Sequence, residues 1–107
     1  MGEAVTEFVV VLCTAPPDEA RIIARALVEE RLAACVNIMP VRSYFVWKEE
    51  LTEEAEELMI IKTAASVVEP LKARIKDLHS YQVPEIIVIP IREGYQPYLA
   101  WIAESVG

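Results

Sequence analysis

The order in which hydrophobic periodicities follow one another restricts the fold of this chain more than any single motif. Phe8-Val9-Val10-Val11-Leu12-Cys13 is short, β-branched and continuously apolar, the pattern of a central strand buried on both faces. Thr14-Ala15-Pro16-Pro17 ends it, because consecutive prolines cannot donate to a ladder. Pro17 or Asp18 then opens a helix, with Asp18 and Glu19 placing negative charge at the positive end of its dipole. Ala20, Ile23, Ala24, Leu27 and Val28 form its apolar stripe, and Glu30-Arg31-Leu32 closes it. A second strand runs from Ala33 to Met39, breaks or bulges at Pro40, and resumes from Val41 to Trp47. Lys48-Glu49-Glu50 is a polar hairpin tip. The return strand starts in an acidic stretch and becomes Leu58-Met59-Ile60-Ile61-Lys62-Thr63.

Ser66-Val67-Val68-Glu69 has the form of a capping box, and Val68, Leu71, Ile75 and Leu78 give the following helix a buried stripe. After a loop at 80–84, Glu85 to Ile91 is a fourth strand, again almost wholly apolar. The first and fourth strands are therefore expected to be well covered. A terminal helix over residues 96–106 follows, with Tyr98 or Leu99, Ile102 and Val106 on one side and Trp101 beside them. The order β-α-β-β-α-β with an added C-terminal helix predicts a single α+β domain over residues 1–107, a ferredoxin-like split βαβ sandwich.

Two features point to assembly. Hydrophobic residues make up 54% of the chain, a rich share for a small lone domain. The hairpin is too long to lie over one small core, and its open backbone edges need partners.

Charge narrows the function. The net charge of −7 and a pI near 4.7 leave no clustered basic surface for nucleic acid. No apolar run approaches the ~18 residues that a membrane helix needs. The stretch Met1-Gly2-Glu3-Ala4-Val5-Thr6-Glu7 has neither a basic nor an apolar leader region, and there are only two cysteines, so a cytoplasmic protein with reduced thiols is expected.

Five segments, taken together and in order, resemble the CutA divalent-cation tolerance family. They are Val11-Leu12-Cys13-Thr14-Ala15-Pro16, Arg31-Leu32-Ala33-Ala34-Cys35-Val36-Asn37, Glu57-Leu58-Met59-Ile60-Ile61-Lys62-Thr63, His79-Ser80-Tyr81-Gln82-Val83-Pro84-Glu85-Ile86 and Tyr98-Leu99-Ala100-Trp101. The resemblance spans roughly residues 8 to 102. The chain departs from the family where Ser80 replaces the proline of an H-P-Y motif. It departs again where Lys48-Glu49 stands in place of the W-x-G hairpin tip. The resemblance implies a homotrimer and a role in tolerance of copper and other divalent metal ions.

One constellation carries metal chemistry. A thiolate, an imidazole and a carboxylate together suit copper or zinc. In this fold the end of the first strand and the start of the fourth lie at one edge of the sheet. Cys13, His79 and Glu85 therefore converge in expectation, within a chain or across a trimer seam, and the family resemblance points to the same three positions. The competing readings are a small core residue for Cys13, a helix C-terminal cap for His79 and a bond to backbone donors of its own loop for Glu85. Copper or another divalent metal ion is the expected ligand, with no organic cofactor.

The remaining features read as structural. Cys35 is expected in the core. The acidic run Glu49, Glu50, Glu53, Glu54, Glu56 and Glu57 reads as a solvated hairpin face. Trp47 and Trp101 read as trimer packing, and Tyr81 as a pocket wall. An enzyme is not expected, since Thr14-Ala15-Pro16-Pro17 offers no anion cradle and no nucleophile sits beside a base. The alternative to metal binding is a trimeric module that binds a small ligand or anchors a partner.

Overall fold

A computed structural model describes residues 7–107; the leader-region reading of residues 1–6 falls outside them. The elements are β1 (Phe8–Ala15), α1 (Pro17–Glu29), β2 (Cys35–Trp47), β3 (Glu50–Ala64), α2 (Val68–Leu78, preceded by one 3-10 turn), β4 (Ile87–Pro90) and α3 (Gln96–Ser105). The four strands form one antiparallel sheet in the order β2-β3-β1-β4. This is the expected α+β, ferredoxin-like arrangement with an added C-terminal helix.

Helices α1 and α2 lie on one face of the sheet. Val9, Val11, Cys13 and Ala15 of β1 point into that layer, with Met59, Ile61 and Thr63 of β3 beside them. Ile23 and Leu27 of α1 and Leu71 and Ile75 of α2 complete the core, all fully buried. Each such side chain contributes about 1.5–3 kcal/mol of burial free energy. Thr63 is admitted to this layer because its hydroxyl donates to the Leu32 carbonyl at 2.7 Å.

The structure corrects several expectations. β1 is not buried on both faces: its burial alternates, because the helices cover only one side of the sheet. The other face is lined by Val10 and Leu12 of β1, Leu58 and Ile60 of β3, and Ile87 and Ile89 of β4, all half-buried or exposed. It is covered only at its two ends, by α3, whose Leu99 and Ile102 pack on Phe8 and Ala34, and by Tyr81 over Glu56. β4 is an exposed edge strand of four residues rather than a covered strand of seven. Its continuous apolarity therefore does not arise from burial within one chain. Cys35 lies opposite Lys62, which lies opposite Val10, so it sits on this open face and not in the helix-side core.

Pro40 causes neither break nor bulge. Pairing continues through Pro40↔Glu57 with regular register, and β2 tolerates the missing donor because it is an edge strand. The Ser66 capping box is also absent. A 3-10 turn over Ala65–Val67 enters α2 with no side-chain cap, and Pro70 is accepted within the first helical turn. Val28 faces solvent, as does much of the α1 outer surface. The C-terminus of α1 is closed by Arg31 at φ 62°, whose guanidinium donates to the Glu104 and Gly107 carbonyls and ties α1 to α3.

Past Ala15 the β2–β3 hairpin leaves the sheet as an arm, and the molecule measures 53 × 25 × 22 Å. The arm turns at Lys48 and Glu49, with φ of 50° and 68°. Two left-handed residues between paired Trp47 and Glu50 make a type I′ turn, which normally uses Asn-Gly. Left-handed conformation strains residues carrying a Cβ by about 1–2 kcal/mol each. The double substitution Lys48→Asn and Glu49→Gly is expected to stabilise the protein by about 1–2 kcal/mol, read as a rise in the urea midpoint at unchanged slope. An unchanged or lower midpoint would refute turn strain at the tip.

Candidate functional site

The end of β1, the root of the arm and the loop 79–86 meet at one edge of the sheet. His79 caps α2: its N–H donates to Ile75 O at 2.8 Å and its backbone is extended. That conformation turns the imidazole inward, where the side chain is wholly buried. The Tyr81 N–H donates to His79 Nδ1 at 3.1 Å, so Nδ1 is the ring acceptor. The proton is then on Nε2, which donates to the Thr14 carbonyl at 2.8 Å. Both ring nitrogens are thus occupied by backbone groups.

Tyr81 follows from this pinning. Its ring lies 4.7 Å from that of His79, and its hydroxyl donates to Glu56 Oε2 at 2.7 Å. Glu56 is only 5% exposed, although it lies in the run expected to be a solvated hairpin face. The acidic run is therefore not uniform: one carboxylate is folded under the loop while Glu49, Glu50, Glu53 and Glu54 remain exposed. Burial, the Glu56 hydrogen bond and neighbouring carboxylates push the Tyr81 phenol up to about 12. Removing the hydroxyl leaves a buried carboxylate short of a donor, so Tyr81→Phe is expected to lower stability by about 1.5–3 kcal/mol. Chemical denaturation checks this, and a loss below about 0.5 kcal/mol would show that water replaces the phenol without penalty.

On the other side of the loop, the Ser80 N–H donates to Glu19 Oε1 at 2.8 Å, and the same carboxylate oxygen is 3.8 Å from His79 Nδ1. Partial burial works to raise the Glu19 carboxyl, but the Ser80 hydrogen bonds outweigh it and hold the group below its ordinary value, an effect that a protonated His79 would reinforce. The acid that begins α1 as a dipole residue thus also tethers the loop. The Ser80 position uses a backbone donor here that a proline would lack.

The three residues expected to ligate a metal are brought to this same edge, in different states. Cys13 is fully buried, and its Sγ lies 3.7 Å from the Thr14 carbonyl. Burial, then the nearby Glu85 and Glu56 carboxylates, push its thiol up to about 12. His79 is buried with both nitrogens engaged, and Glu85 is exposed. Among the described residues, no group of three or more His, Cys, Asp or Glu side chains is arranged to hold a metal ion. As placed in one chain, the thiol, the imidazole and the carboxylate do not fit an ion. The thiol resists ionisation and the imidazole has no free lone pair.

Sequence reasoning missed Glu56 and Glu19. Both look like ordinary surface acids in linear sequence. The alternation within β3 puts Glu56 on the open face with Leu58 and Ile60, but only the returning loop decides that it is covered. Beside it, a groove of about 350 Å³ opens between the start of α1 and the root of the arm, lined by Pro17, Pro40, Val41, Arg42 and Glu56.

Comparison with known proteins agrees with this architecture. The family model for the CutA1 divalent ion tolerance protein matches residues 9–105. The divalent-cation tolerance protein CutA of Thermus thermophilus is 52% identical over 100 residues, covering 92% of this chain and 97% of that protein. The structure of the Thermus protein superposes with a TM-score of 0.90, at 50% identity and with 94% of this chain covered and 99% of that one. The structure of CutA1 from Oryza sativa gives a TM-score of 0.92 at 39% identity, with 94% of both chains covered. Protein CutA of Mus musculus is 46% identical over 78% of this chain, and the chain spans about half (48%) of that longer protein. A family match that runs from β1 through α3, on a fold superposing over nearly its whole length, leaves one assignment: the chain belongs to the CutA1 divalent ion tolerance protein family.

Proposed function

We propose that this protein serves in tolerance of divalent cations as a homotrimer that binds copper or another divalent metal ion in its assembled form. The observation that carries the assembly is the open face of the sheet. Val10, Leu12, Leu58, Ile60, Ile87 and Ile89 form a contiguous apolar surface with no helix over it. Both sheet edges, β2 and β4, have unpaired backbone groups, and the arm exposes Tyr44, Val46, Trp47 and Leu51. An apolar face flanked by two free edges is what a second and third copy of the same chain would cover. The number three and the metal come from the family resemblance and the name of the Thermus relative.

Native mass spectrometry with added copper or zinc tests both parts at once. The expected species is three chains of 12.0 kDa each carrying bound ions. A folded single-chain species at micromolar concentration overturns the assembly, and a metal-free trimer at excess ion overturns the metal part.

The second reading is a trimeric module that binds a small ligand or anchors a partner without a physiological metal role. The groove at Glu56 favours it, since it is bounded by apolar Pro17, Pro40 and Val41 and by charged Arg42, Glu56 and Glu57. A trimer whose stability is indifferent to chelator, but which retains a small molecule through purification, supports this reading over the first.

A further inference from the structure

The polar cluster at the sheet edge is organised around a histidine that has no coordination capacity left. The His79 side chain is fully buried, its Nδ1 accepts from the Tyr81 N–H at 3.1 Å, and its Nε2 donates to the Thr14 carbonyl at 2.8 Å. An ion at Nδ1 would displace the Tyr81 amide. An ion at Nε2 would require the proton to leave and the Thr14 carbonyl to lose its donor inside the fold. The carboxylate nearest the ring, Glu19 with its Oε1 3.8 Å from Nδ1, is already held by the Ser80 N–H. Cys13 has no exposed surface, and Glu85 is solvent-facing. What the ring does instead is continuous with its surroundings. It joins the end of β1 to the loop after α2, and the loop then directs the Tyr81 hydroxyl onto Glu56 at the arm root, while Ser80 is held by Glu19.

We infer that His79 is a latch and not a metal ligand: it locks the loop 79–86 onto β1 and so positions Tyr81 against Glu56 where the arm leaves the sheet. Cys13 and Glu85 then lie beside this latch without forming a coordination set with it. Divalent ions bound by the assembled protein, on the reading proposed above, are held by other groups. His79 acts through Tyr81 and is therefore a positioning residue.

The experiment is a nitrogen-15 NMR measurement of the single histidine in the intact protein, followed by titration with zinc. The latch predicts the Nε2–H tautomer, a Tyr81 amide protected from exchange, and ring shifts unchanged at saturating zinc. A Nδ1–H tautomer, or a ring nitrogen that shifts to a metal-bound position, overturns it. Two variants separate the roles further. His79→Gln keeps an amide donor for Thr14 O but offers no imidazole to a metal. It is expected to retain Tyr81 protection within about tenfold and to bind zinc with the wild-type stoichiometry, whereas His79→Leu loses Tyr81 protection by at least about a hundredfold. Loss of zinc by His79→Gln with the loop intact refutes the inference. If the wild type binds no zinc at all, the metal reading of the assembled protein fails on stoichiometry. The tautomer and the exchange rates still decide the latch.

Discussion

Replacing Ile89 with glutamate should convert the proposed homotrimer into folded single chains. Ile89 lies opposite Val10 on the open face, on an edge strand, and is 44% exposed in the isolated chain. A carboxylate there meets water in one chain and costs the subunit fold little. In the proposed homotrimer it would lie among the apolar side chains of the open face, where an unpaired charge costs several kcal/mol. At micromolar concentration the native mass is expected to fall from three chains to one while the far-ultraviolet circular dichroism is retained. Ile22→Glu is the control: Ile22 is 60% exposed on the outer surface of α1, away from the sheet, and its variant should keep the full mass. An Ile89→Glu protein that remains fully assembled removes the open face from the interface. A protein that unfolds would show instead that the subunit has no stable existence apart from the assembly.

Stability should also fall steeply between pH 9 and pH 12, with Cys13 as the main cause. The thiol is raised from 9.0 to about 12 by burial, with the Glu85 and Glu56 carboxylates adding to it. The folded protein therefore holds this proton more tightly than the unfolded chain does. The resulting stability is fully present below pH 9 and is lost progressively as pH rises toward 12, reaching about 4 kcal/mol per chain at the upper end. Tyr81 titrates in the same direction between pH 10 and 12. Because its side is more open to solvent, its share is smaller. Urea unfolding at several alkaline pH values checks the slope. Cys13→Ala is expected to begin about 1–2 kcal/mol below wild type at pH 8, from lost packing, and to converge on or overtake it above pH 11. Two profiles that stay parallel throughout would show that the thiol is not the titrating group.

This behaviour also bears on redox and metal chemistry. A thiol held protonated near neutral pH is a poor nucleophile and a poor soft-metal ligand. Residue type alone nominates Cys13 for such chemistry. Its partners in the fold, Met59 across the strand pair and the helix layer above, make it a small apolar core residue.

How much is legible differs between fold and site for definable reasons. The switch from short β-branched runs to three- and four-residue spacing locates every helix and strand, because periodicity reports which side of an element is apolar. It does not report what covers that side. Val10 and Ile89 look like Val9 and Val11 in sequence, yet the first pair lies on the open face and the second beneath the helices. Pro40 reads as an interruption of β2 because a missing donor matters in a ladder, but it is harmless on an edge strand.

By itself the sequence determined the element order, the antiparallel meeting of β1 with β4 and the family, since these depend on local propensity and on segments read in succession. Tertiary structure alone decided that Glu56 lies under Tyr81, that both nitrogens of His79 are spent on Thr14 and Tyr81, and that Glu19 holds Ser80. Most of those contacts join residues far apart in the chain. Their hydrogen bonds depend on where a loop returns to the sheet, and no local pattern of side chains encodes that place.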